Sequence, residues 1–85
     1  MNSYYGFLRV KVEPDGRLRP LWYSVTADFE SITTVGFEYT VALCVLPARS
    51  LEEARTEFKT MLKWFEPLLK GAEPDGWFAS EDPAR

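Results

Sequence analysis

The spacing of apolar residues changes once along this chain, and the change falls at "VLPARS", residues 45–50. Upstream, Val35, Phe37, Tyr39, Val41, Leu43 and Val45 recur every second residue, against Gly36, Glu38, Thr40, Ala42 and Cys44. Downstream, Leu51, Ala54, Phe58, Met61, Leu62, Phe65 and Leu69 recur every third or fourth. The first spacing is that of a half-buried strand and the second that of an amphipathic helix. Ser50 supplies a helix N-cap with Glu53 as capping-box partner, so the junction carries its own start signal. Pro47 is expected to end the sheet region.

Two earlier segments share the strand period. Tyr4, Gly6, Leu8, Val10 and Val12 alternate with Tyr5, Phe7, Arg9, Lys11 and Glu13; Leu21, Tyr23, Val25, Ala27 and Phe29 alternate with Trp22, Ser24, Thr26, Asp28 and Glu30. Between them lies "EPDG", Glu13–Gly16, in which proline presets φ, aspartate bonds local backbone and glycine accepts positive φ. Pro20 assigns the start of the second strand to an edge or bulge, and Gly36 is placed to mark a bulge in the third. Pro67 predicts a stop or kink near Phe65 or Glu66, with Gly71 closing the last turn. The expected fold is therefore α+β: a three-stranded antiparallel β-meander, then one helix on the face of Leu8, Val10, Val25, Val41 and Leu43.

"EPDG" recurs at Glu73–Gly76, but flanks do not match in register, so turn chemistry written twice explains it better than duplication. The chain of 85 residues suffices for one small core. Residues 1–71 are read as a single α+β domain and 72–85 as an acidic C-terminal segment that docks through Trp77 or Phe78. On the helix flank, Trp64 is read as partly packed in the core.

Composition narrows function by exclusion. The chain has no histidine, and so lacks the commonest general base and metal ligand and any Ser/His or Cys/His nucleophile system. Neither a calcium-loop or zinc spacing nor a phosphate-cradling glycine loop occurs, so no catalytic, metal or cofactor residue is assigned. Cys44 is the only cysteine and lies in an apolar run, where a small buried side chain in a reduced, cytoplasmic setting is expected. The absence of a leader-like or membrane-length apolar run points to a soluble protein.

A net charge of −3 disfavours nucleic acid and anionic membranes as partners. Aromatic residues make up 15% of the chain, however, and one helix covers one face of a sheet only. Tyr5, Phe7, Arg9, Lys11, Arg19 and Trp22 are left as a candidate binding face of the residue types enriched at hot spots. Glu73, Asp75, Trp77, Glu81 and Asp82 form a second, acidic candidate surface. The function expected is non-enzymatic binding to a protein partner, as a stoichiometric inhibitor acting by steric or electrostatic occlusion. In size, acidity and lack of motifs the chain resembles toxin-immunity proteins and phage anti-defence inhibitors, anti-CRISPR proteins among them. One alternative is a nucleic-acid or nucleoprotein accessory domain using Tyr5, Phe7, Arg9, Lys11 and Trp22; another is a self-associating subunit, a homodimer at its simplest.

Overall fold

A computed structural model describes residues 2–28 and 36–74. It is α+β: strands β1 (Asn2–Val12), β2 (Leu18–Thr26) and β3 (Glu38–Ala48), helix α1 (Leu51–Met61), a 3₁₀ turn (Leu62–Trp64), a short helix α2 (Glu66–Leu69) and a two-residue strand β4 (Glu73–Pro74). The sheet order is β3-β1-β2-β4. β1 pairs antiparallel with both β2 and β3, while β4 runs parallel to β2.

This corrects the expected meander in two ways. β3 pairs with β1 instead of β2, and the segment read as a tail contributes a fourth strand. The physical reason lies in β1, where Tyr4 and Gly6 to Val10 are buried without a break across both faces. A strand buried on both sides belongs at the centre of a sheet, with partners along both edges. The first "EPDG" is the expected turn: the Gly16 N–H donates to the Glu13 carbonyl, the Arg17 N–H to Asp15 Oδ1, and Gly16 has φ +86°. The second begins as β4, its Glu73 opposite Trp22 and Pro74 opposite Tyr23, and continues outside the described residues.

Two irregularities set which side chains face the helix. Beside Pro20, the register slips between Arg9 and Val10, leaving Leu21 as an extra residue on β2. On β3 the slip falls at Leu43, between the pairs Gly6–Cys44 and Phe7–Ala42, and not at Gly36, which sits in the turn ahead of the strand with φ +60°. An inserted residue shifts the alternation by one. Tyr39 and Val41 thus share the helix face with Val10 and Leu8, yet beyond Leu43 that face is taken by Cys44, Leu46 and Ala48. Val45 turns to the other side and is 58% exposed, whereas Leu46 is 2% exposed. β3 also runs through Pro47, because an outermost strand tolerates a missing N–H.

Ser50 caps α1 as expected, its Oγ accepting from the Glu53 N–H at 3.1 Å. Ala54 and Phe58 are fully buried against Tyr4, Val25, Leu46 and Ala48. Phe58 stands edge-on to Tyr23 and lies beside Phe65. Gly6 makes room for that ring: a Cβ built there would lie 2.5 Å from Phe58 Cε1 and 3.0 Å from Cys44 Sγ. Leu8, Val10 and Leu69 form a second cluster with Leu43, Leu62, Phe65 and Ala72 around it. Pro67 falls in the first turn of α2, where its missing N–H is harmless, so the chain breaks at Phe65 and resumes. Gly71 follows with φ +92°.

Candidate interaction site

The face of the sheet away from α1 is not the open aromatic surface expected from the sequence. Phe7 is 3% exposed, with Trp22 edge-on at 5.4 Å between ring centroids. Arg9 is 6% exposed and directed into β3: its Nη1 donates to Thr40 Oγ1 at 2.6 Å and its Nε lies 3.8 Å from Glu38 Oε1. Both residues are enclosed within the chain, which corrects the expectation that they stand free. Ser24 on the same face is buried too. Tyr5 and Lys11 are half-buried; Arg19 is exposed and Trp22 is 38% exposed.

The local excess of basic charge is largely answered by carboxylates. Arg19 Nε lies 2.8 Å from Glu13 Oε1 and Arg17 Nε 3.2 Å from Asp15 Oδ2. With Arg9 beside Glu38, three of the four cations of the first 27 residues sit against an acid. The Arg17 and Arg19 pairs are exposed and add little stability, but the three together leave a weak field for phosphates. Glu73 lies exposed on β4; Asp75, Trp77, Glu81 and Asp82 fall outside the described residues.

The exposed apolar surface is found elsewhere, on residues the period analysis placed in the core or in no site. Trp64 is 73% exposed and Leu68 58%. In the 3₁₀ turn Leu62 and Phe65, three residues apart, both pack on the core, and Trp64, one residue before Phe65, is left outside. Lys63 Nζ sits 5.7 Å from the Trp64 ring centroid, within cation–π range. Beside this ridge lies an open groove of about 670 Å³ lined by Tyr23, Leu62, Pro67, Leu69 and Ala72, with Lys63, Glu66 and Lys70 among its polar groups. This corrects the reading of Trp64 as partly packed in the core; the signal in the sequence was that Trp64 and Leu68 fall outside the helical stripe from Leu51 to Leu69.

A second exposed row follows β3. Phe37 is 68% exposed, Tyr39 42%, Val41 41% and Val45 58%. Cys44 is half-buried, and burial pushes its thiol pKa up against an opposing backbone hydrogen bond with Gly6, so the group stays protonated near neutral pH and is a poor nucleophile. Among the described residues there is no group of three or more Cys, Asp or Glu side chains that could hold a metal ion, and no helix long and apolar enough to cross a membrane. No protein-family model matches the chain, and neither a curated protein nor a solved structure shows significant similarity to it.

Proposed function

We propose that the protein acts by binding a protein partner, without catalysis, as a stoichiometric inhibitor that occludes a functional surface of a larger molecule. The observation that carries this reading is the Trp64–Leu68 ridge: a tryptophan 73% exposed at the end of the 3₁₀ turn and, four residues on in α2, a leucine 58% exposed. Solvating so large a ring is unfavourable, and tryptophan is the residue type most enriched among binding hot spots. Lys63 and Lys70, both in the lining of the neighbouring groove, suit a partner whose apolar pocket has an acidic rim. On this reading the ridge is the anchor, and Trp22, Arg19 and Lys11 are a second patch on the other side of the sheet. The buried Phe7 and Arg9 support the fold under that patch.

The test is affinity capture with the wild-type chain and with Trp64→Ala/Leu68→Ala, followed by titration of the purified partner. Truncating a central tryptophan should weaken the complex by ~30-fold, the free energy typical of a hot spot. Equal affinity of both chains would remove the ridge from the interface. Titration with labelled single-stranded RNA at two salt concentrations separates the nucleic-acid alternative, which requires salt-dependent binding.

A further inference from the structure

The two outer edges of the sheet differ in how they are guarded. Along β2, Arg19, Pro20 and the bulge at Leu21 protect the first half, with Arg17 just ahead of it, and β4 covers Trp22 and Tyr23. Charges, proline, bulges and covering segments are the devices by which proteins keep sheet edges from pairing with other chains. β3 has Pro47 and the Leu43 bulge in its second half, but from Glu38 to Ala42 it carries only one charge, at its end, and among the described residues nothing pairs with its outer side. That unguarded stretch holds the exposed Tyr39 and Val41 and is preceded by exposed Phe37.

We infer that the occupant of this edge is a second copy of the same chain, joined by antiparallel β3–β3 pairing about a twofold axis midway between the two Thr40 residues. The register follows from symmetry. A twofold normal to the sheet keeps each face on its own side, so it passes midway between a residue and its own copy, and Thr40 is the one centre that uses the whole regular stretch 38–42 and leaves the bulge outside. Tyr39 of each copy then meets Val41 of the other on the helix face, Thr40 meets Thr40 on the opposite face, and Glu38 meets Ala42. Aromatic with β-branched and threonine with threonine are favourable cross-strand pairs, and no like charges oppose. The stretch is thus complementary to itself, as an isologous contact requires.

Area sets the strength. An eleven-residue strand is ~36 Å long, and the molecule's shortest extent is 21 Å. The whole wall along β3 is therefore about 750 Å², but the paired stretch 38–42 is only ~17 Å of its length and offers about 360 Å², under half of the ~800 Å² that one partner contributes to a standard interface. Because only part of it pairs, the dimer is weak and concentration-dependent. It uses a different surface from the Trp64 ridge and stands or falls separately.

Sedimentation equilibrium from micromolar to millimolar concentration should show the mass rising from the 9.8 kDa of the monomer toward twice that value. Val41→Lys should weaken the dimer by about tenfold, since two symmetric pairs are lost. Val45→Lys, beyond the bulge, should leave it unchanged. In a Thr40→Cys/Cys44→Ala chain the new thiols face each other at ~5 Å between Cα atoms, within disulfide span, so mild oxidation should give a covalent dimer, and adding Val41→Lys should suppress it. A wild-type mass that stays monomeric throughout, equal effects of the two lysines, or failure of the cysteine chain to cross-link would each overturn the inference. None of these results bears on Trp64.

Discussion

Phe58 and Trp64 are two aromatic residues six positions apart, the first on the helical stripe and the second on its flank, and the first is 0% and the second 73% exposed. Six residues at about 3.6 per turn carry Trp64 off the face that Phe58 lays on the sheet. α1 lies over the centre of the sheet, where Gly6 on β1 leaves a hollow that the Phe58 ring fills. Past Met61 the backbone tightens into the 3₁₀ turn, and Leu62 and Phe65 keep contact with the core while Trp64 is left outside. Equal hydrophobicity in the sequence therefore has two meanings here. At Phe58 it holds the fold together; at Trp64 it is available to another molecule.

Substitutions can break or sharpen that contrast. Phe58→Ala should have the largest effect, destabilising the fold by about 3–5 kcal/mol through lost burial and the cavity left behind, as read by denaturant unfolding. Gly6→Ala approaches the same ring from the strand side. Its Cβ would meet Phe58 at 2.5 Å, so the expected loss is about 1–3 kcal/mol of overpacking. In the double variant Gly6→Ala/Phe58→Leu the two losses should fall well short of additive, since the smaller side chain relieves the clash. Ser50→Ala removes the oxygen that accepts the Glu53 N–H and should lower stability by about 1 kcal/mol, visible as a shift in the unfolding midpoint. Trp64→Ala should change stability by less than about 0.5 kcal/mol, the range of surface positions. A large destabilisation there would place Trp64 with the core and undo the contrast.

Much of the architecture was legible before the structure. The Ser50 cap, the helical stripe from Leu51 to Leu69, the Glu13–Gly16 turn and the break near Phe65 all follow from local chemistry, which acts over a few residues. Alternation also placed Leu8, Val10 and Val25 correctly on the helix face. It failed on β3 past Leu43, because a one-residue bulge is a property of the pair Gly6–Cys44 and Phe7–Ala42 and leaves no mark in a single strand's pattern. It failed at Phe7 and Arg9 for a related reason. Their burial follows from β1 lying at the sheet centre with Trp22 on one side and Thr40 and Glu38 on the other.

The sequence by itself determined the class of fold, the order of its first three strands and main helix along the chain, and the chemistry of caps and turns. Each of these depends on neighbours within about one turn of helix or one strand. Only the tertiary structure decided that β1 is central, that β3 and not β2 takes its far side, that Glu73 and Pro74 extend the sheet, and which aromatic rings remain outside. Those outcomes are set by which segments meet across the sheet, and the exposure of a side chain is a property of what lies over it.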